Sequence, residues 1–231
     1  MATNIRAPFF EIGPKSYLYG DEILDLALAA DAASEKYDVD VIFTCPVVDI
    51  RRVKEATKRI HVFAPHMDPI PVGRGLADIL PESLVAAGAE GVMLNHVEKP
   101  VTFDVLAQTI KRAEEVGLTT IVCADSMADA SKIAGLHPDI IVAEPSELIG
   151  TGVSVGPEYV EAAMQSVKSV DADILVLTAA GIANGNDVYN TIIAGADATG
   201  SSSGVAKAAD RAAMVDEMIA AARKAWDERH P

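Results

Sequence analysis

Chemically capable side chains recur in this chain directly after short apolar runs. Lys15 follows the first run, Pro65-His66-Met67-Asp68 the third, and Asn95-His96-Val97-Glu98-Lys99 the fourth. Glu144-Pro145 follows the sixth, with Ile149-Gly150-Thr151-Gly152 a few residues on. Ala180-Gly181-Ile182-Ala183-Asn184-Gly185 follows the seventh, and a cluster from Thr199 to Gly204, including Ser202 and Ser203, marks the eighth. The set holds a cation, an imidazole, carboxylates and three glycine-rich loops. One chemistry uses all of them. A carboxylate removes a proton next to a carbonyl, an imidazole and an ammonium stabilise the enediolate oxygen, and backbone N–H groups hold a phosphate. Taken singly, each residue also has a plainer reading. Lys15 reads as a solvated charge, His96 as a structural histidine, Glu144 as half of an ion pair and Gly150–Gly152 as a turn. The chemical reading needs them all at one end of a common scaffold.

The apolar runs supply that scaffold. They are Pro8–Ile12, Val39–Thr44, Arg59–Ala64, Glu90–Leu94, Thr119–Ala124, Asp139–Ala143, Asp173–Thr178 and Ala196–Gly200. Most are nearly continuous rather than alternating, as strands of a parallel sheet buried on both faces must be. Helical patterns lie between them: Asp21–Glu35, Thr102–Val116, Ser126–Leu136, Pro157–Val170, Asn184–Ala194 and Lys207–Arg229. Thr102 is placed as an N-cap and Gly117 as a C-cap. Eight strands alternating with helices in 231 residues predict an α/β fold, a (β/α)8 barrel spanning residues 1–231 as one domain. The rival is an open doubly wound sheet, which usually carries a glycine-rich turn after its first strand, and Gly13-Pro14-Lys15 is no GxGxxG. The cluster Thr199–Gly204 reads as a tight strand-to-helix turn whose N–H groups can receive an anion. In such a barrel the loops after the strands share one face, which is where the polar residues fall.

Composition narrows the partners. Half of the residues are hydrophobic and 23% charged, enough apolar material for a full core. No apolar stretch reaches the roughly 18 residues of a membrane span. Met1 to Arg6 has no apolar core of a secretory signal, so a cytoplasmic location is expected. Nineteen basic against 34 acidic residues give a formal charge of −15, which repels phosphate backbones and argues against nucleic acid and anionic membrane. An anionic ligand would therefore need local positive groups. Cys45 and Cys123 both lie in strand-like contexts and read as two buried thiols. His61 and His66 are five residues apart, with no cysteine or further histidine at ligand spacing, so no metal site is expected.

Asn95-His96-x-Glu98 and Glu144-Pro-x-Glu-Leu-Ile-Gly-Thr-Gly152 resemble the triosephosphate isomerase family, most closely its short archaeal branch. Ala64-x-His66-Met67-Asp68-Pro69, Ile79-Leu-Pro-Glu-Ser83, Val122-Cys-Ala124, Ala180-Gly-Ile182 with Gly185-x-Asp187-Val188, and Ser203-Gly-Val205-x-Lys207 agree as well. The resemblance runs from about Phe9 to Lys207 and implies a TIM barrel. It makes Glu144 the general base, His96 the neutral electrophile, Lys15 the stabiliser of developing negative charge and Glu98 a supporting carboxylate. It makes Pro145–Thr151 a lid whose Gly150 grips phosphate, and Gly181, Ile182, Ser202 and Ser203 the backbone cradle of that phosphate. No metal or organic cofactor is implied.

Four positions depart from the family pattern. Gly13 stands where Asn is usual, Val97 where Ser is usual, Pro65 where Gln is usual, and Thr199-Gly200-Ser201 where strand eight is usually apolar. The first expectation is an aldose–ketose isomerase of a small phosphorylated sugar, with triose phosphate as the default. A longer phosphorylated ketose such as a tetrulose phosphate is the alternative the departures suggest. A non-catalytic phosphosugar-binding barrel is the reading from another class. The resemblance also implies a homo-oligomer, dimer or tetramer, with Asp68–Asp78 as the loop that reaches a neighbouring subunit.

Overall fold

A computed structural model describes residues 4–231. Met1–Thr3, which begin the segment read above for a secretory signal, lie outside the described residues. The described residues form eight parallel strands: β1 (Phe9–Ile12), β2 (Asp40–Thr44), β3 (His61–Ala64), β4 (Gly91–Leu94), β5 (Thr119–Ala124), β6 (Ile140–Ala143), β7 (Leu175–Thr178) and β8 (Ala198–Ser201). They pair in sequence order, and β8 closes on β1. The helices are α1 (Asp21–Tyr37), α2 (Ile50–Ala56), α3 (Pro81–Ala87), α4 (Phe103–Val116), α5 (Met127–Ala134), α6 (Pro157–Lys168), α7 (Gly185–Ile193), α8 (Ser203–Ala206) and α9 (Arg211–Arg229). This is the (β/α)8 barrel expected from the sequence.

Period two divides each strand between two cores. Phe9, Ile42, Phe63, Ile121, Ile140 and Leu177 fill the barrel interior. Phe10, Val41, Val62, Val122, Ile141 and Val176 point outward against the helices. The alternation decides what the strand ends present. On β1, Glu11 is on the inward parity of Phe9, and Gly13 follows it. On β6, Ile140 and Val142 point in, so Glu144 continues the inward row.

Capping follows the sequence signals. The Thr102 hydroxyl accepts from the Val105 N–H at 3.4 Å, and Gly117 ends α4 at φ 78°. The sequence patterns did not isolate α2 and α3, whose seven residues each are too few for a clear helical period. The expected helix Lys207–Arg229 instead begins at Arg211. Asp210 Oδ1 caps the Ala213 N–H at 3.0 Å, so the chain starts a fresh helix there. Of the expected turn Thr199–Gly204, Thr199–Ser201 belong to β8, and Ser203 and Gly204 begin the four-residue α8.

Gly91 is tightly enclosed inside the barrel. A Cβ there would stand 2.4 Å from the Phe63 ring and 2.6 Å from the Thr119 carbonyl oxygen. Gly91→Ala is therefore expected to destabilise the fold by about 2–3 kcal/mol through overpacking. That corresponds to a melting temperature lower by about 5–10 °C in a chain of this size. An unchanged urea midpoint would contradict this packing.

Candidate active site

All nine residues singled out from the sequence line one cavity of about 580 Å³ at the C-terminal ends of the strands: Lys15, His96, Glu98, Glu144, Gly150, Gly181, Ile182, Ser202 and Ser203. They come from loops after β1, β4, β6, β7 and β8, so only closure of the barrel brings them together. His66 is held elsewhere, with Nε2 3.3 Å from Asp68 Oδ1.

Local backbone geometry aims the side chains. Lys15 sits at φ +49°, a left-handed conformation that a non-glycine residue adopts only when its surroundings require it. The Tyr17 N–H closes a turn onto the Pro14 carbonyl at 3.1 Å beside it. Lys15 Nζ lies 3.4 Å from Glu98 Oε1, so the lysine is paired rather than a free solvated charge. Asn95, also left-handed at φ +57°, fixes the next loop with its amide. Its Nδ2 donates to the Cys123 carbonyl at 3.0 Å, and its Oδ1 accepts from the Val101 N–H at 3.2 Å. His96 and Glu98 lie within the span so closed.

The imidazole is assigned its tautomer by the backbone. The Glu98 N–H donates to His96 Nδ1 at 3.1 Å, so Nδ1 carries a lone pair and the neutral ring holds its proton on Nε2. Burial, with the Lys15 ammonium adding to it, lowers the pKa of His96 from the ordinary histidine value. The ring is thus a neutral Nε2–H donor. Glu144 extends β6, its N–H bonded to the Ala124 carbonyl at 3.1 Å. Burial raises its pKa above the usual carboxylate range, Lys15 opposes the rise, and Glu98 and Asp125 add to it. A carboxylate made more basic by desolvation is suited to taking a proton near neutral pH.

After Glu144 the loop makes a short 3-10 turn, Ser146–Leu148, anchored by the Ser146 N–H on Asp125 Oδ1 at 2.8 Å. Gly150 and Gly152 follow at φ +74° and +75°. The far end of this loop lies against Gly181, where a Cβ would stand 2.0 Å from the Val153 carbonyl oxygen. Only glycine fits that approach. Neither the Gly181 nor the Ile182 N–H has an acceptor among the described residues, and the buried Ser202 hydroxyl is unpartnered. These donors can receive an anion. Lys99 and Lys207 also line the cavity, so three lysines offset the acidic field of the chain there.

A family model described as triosephosphate isomerase matches residues 15–221. The chain belongs to the triosephosphate isomerase family. It is 34% identical over 226 residues to the triosephosphate isomerase of Saccharolobus solfataricus, covering 96% of this chain and 99% of that one. It is 36% identical over 203 residues to that of Methanothermus fervidus, covering 87% and 91%. It is 33% identical over 230 residues to that of Sulfolobus acidocaldarius, covering 97% and 99%.

Among the departures from the triosephosphate isomerase pattern, Gly13, Pro65, Gly200 and Ser201 line the cavity. Val97 lines a smaller cavity of about 320 Å³ that also touches Glu144. Thr199 is fully buried, and its hydroxyl has no hydrogen-bond partner among the described residues. The sequence reading missed Glu11 and Thr44, which form the cavity floor. Thr44 Oγ1 donates to Glu11 Oε1 at 2.5 Å. The available signal was a carboxylate inside the apolar run Phe9–Ile12, on the same parity as Gly13.

Burial pushes the Glu11 carboxyl up to about 7; the Thr44 hydrogen bond opposes this, Glu144 adds to it and Lys15 opposes it. Between the ordinary value of 4.5 and about 7, the folded state therefore holds a proton that the unfolded chain has lost. Stability conferred by this group is full below about 4.5 and is lost as pH rises through about 7, by roughly 3 kcal/mol. Glu11→Gln is expected to remove that loss. Urea unfolding of both proteins at pH 5 and pH 8 measures it, and an equal pH response in the two would contradict it.

Proposed function

We propose that this protein is an aldose–ketose isomerase that interconverts dihydroxyacetone phosphate and glyceraldehyde 3-phosphate through an enediolate. The observation that carries the reading is the neutral Nε2–H imidazole of His96, in one cavity with the basic carboxylate of Glu144 and the ammonium of Lys15. In this reading Glu144 takes a proton from the carbon beside the carbonyl as the carbonyl π electrons move onto oxygen. His96 donates its Nε2–H hydrogen bond to that oxygen, and Lys15 balances the developing negative charge. Glu144 then returns the proton to the adjacent carbon, and the hydroxyl proton passes between the two oxygens. Glu98 positions Lys15. Gly150, Gly181, Ile182, Ser202 and Ser203 hold the phosphate, with the loop Pro145–Thr151 screening the site from water. The steps need no cofactor.

The longer ketose remains the second reading, favoured by one observation: Gly13 and Gly200 present no side chain to the cavity. A coupled steady-state assay with both triose phosphates tests the first reading, with tetrulose and pentulose phosphates alongside. Triose turnover well above that of the longer ketoses supports it; turnover confined to a longer ketose replaces it with the second.

We place the protein in the cytoplasm as a homo-oligomer. Cys45 and Cys123 are free buried thiols, which suits a reducing compartment. No helix of the described residues is long and apolar enough to cross a membrane. Exposed Tyr19, Val48, Val72 and Leu76 lie on the loops leaving β1, β2 and β3; Val48 is 90% and Leu76 95% accessible. Neighbouring apolar loops of this kind suit burial against a second copy. The base of the Asp68–Asp78 loop is closed by the Asp68 N–H on the Ile79 carbonyl at 3.0 Å and the Ile79 N–H on Asp68 Oδ2 at 2.7 Å.

A further inference from the structure

Glu11 lies at the floor of the cavity, and none of the proton transfers above uses it. Its neighbours leave it space. A Cβ on Gly13 would stand 3.0 Å from Glu11 Oε1, and one on Gly200 3.1 Å from Oε2 and 2.9 Å from the Glu11 Cβ. Gly200 is its register partner across the β1–β8 pairing. A carboxyl has about four acceptor positions, and buried polar groups normally have theirs filled. Here the one hydrogen bond among the described residues comes from Thr44 to Oε1, which leaves the capacity of Oε2 for something that enters the cavity.

We propose that Glu11 is a specificity-determining residue of this site: its carboxyl, fixed by Thr44 between Gly13 and Gly200, hydrogen-bonds a hydroxyl on the carbon chain of the substrate. The inference rests on the phosphorylated-sugar reading above and names the group that selects the sugar end. A hydroxyl is the partner that suits a carboxyl in either state, donating to the carboxylate and accepting from the acid. With Thr44 donating to Oε1, the proton of the acid sits on Oε2. The titratable groups facing Glu11 are Lys15 from the loop after β1, Glu144 at the end of β6 and the Cys123 thiol of β5. Lys15 favours the ionised form and Glu144 the neutral one.

The test is calorimetric titration of the wild type, Glu11→Gln and Glu11→Val with glycerol 1-phosphate and n-propyl phosphate. The two probes differ only in hydroxyl groups, and neither can be isomerised. The wild type is expected to bind glycerol phosphate about tenfold more tightly. Glu11→Gln, whose amide still donates and accepts, keeps that preference within about threefold. Glu11→Val loses most of it, keeping only what His96 and Lys15 contribute through their own contacts to the hydroxyls, while binding propyl phosphate as the wild type does. A preference that survives undiminished in Glu11→Val, or an equal loss of both probes, would overturn the proposal. Failure of propyl phosphate to bind the wild type would overturn the phosphate reading beneath it and is seen separately. Near-UV circular dichroism establishes that each variant is folded, and Glu11→Gln keeps the comparison available if Glu11→Val is not.

Discussion

Glu144→Gln is expected to lower kcat by about 10³-fold, within the 10²–10⁴-fold range of a positioned general base. The amide keeps the volume and the reach of the carboxylate but cannot accept a proton. KM and the unfolding midpoint should stay within a few-fold and about a kcal/mol of the wild type, because the side chain makes no hydrogen bond among the described residues that holds β6 in place. The raised pKa of Glu144 fixes the sign of the pH dependence. Activity is lost as pH falls through that value, because the protonated acid is no base, and the loss begins above the usual carboxylate range. Burial and the Lys15 ammonium lower His96 from its ordinary value, so its ring protonates at lower pH than an ordinary histidine. Turnover of Glu144→Gln within tenfold of the wild type would remove Glu144 from the reaction.

Lys15→Met should lower kcat/KM by about 10²–10³-fold, the magnitude of losing one preorganised charge in a water-poor site. The chain carries a formal charge of −15, and Glu11, Glu98 and Glu144 all line the cavity. Lys15 is the cation that acts on the pKa of Glu11, Glu144 and His96 together. Its removal lets Glu144 rise further and relaxes the depression of His96, so the acid limb of the pH profile moves to higher pH. Lys15→Arg should recover little. The planar guanidinium is larger than the ammonium, and the left-handed backbone at φ +49° leaves it no simple way to reposition. Steady-state kinetics across pH for the three proteins measures both effects. An unshifted acid limb in Lys15→Met would contradict the electrostatic role.

The strand pattern was legible because most inward and outward residues of the barrel strands are apolar, so the strands stand out as near-continuous runs, with Glu11 in β1 and Thr199-Gly200-Ser201 in β8 as interruptions. Boundaries slipped by one or two residues where flanking residues such as Asp139 and Asp173 precede the ladder. Short α2 and α3 were not legible, since two turns give no period. The nine candidate residues were legible by position, because each lies in the stretch between the end of a strand and the long helix that follows it. Glu11 was not, because its meaning depends on Gly200, 189 positions away and adjacent only after β8 closes on β1. The Nε2–H tautomer of His96 was also invisible, since it is set by the direction of one backbone N–H.

In the proposed reaction Glu144 moves a proton between two carbons of a phosphorylated ketose. Proton NMR of dihydroxyacetone phosphate incubated with the wild-type protein in deuterium oxide tests it directly. Deuterium appearing at the carbon beside the carbonyl, together with glyceraldehyde 3-phosphate, and neither with Glu144→Gln, is the predicted result. Saturable binding of the ketose phosphate with no deuterium incorporation would contradict it and leave a barrel that holds a phosphosugar without acting on it.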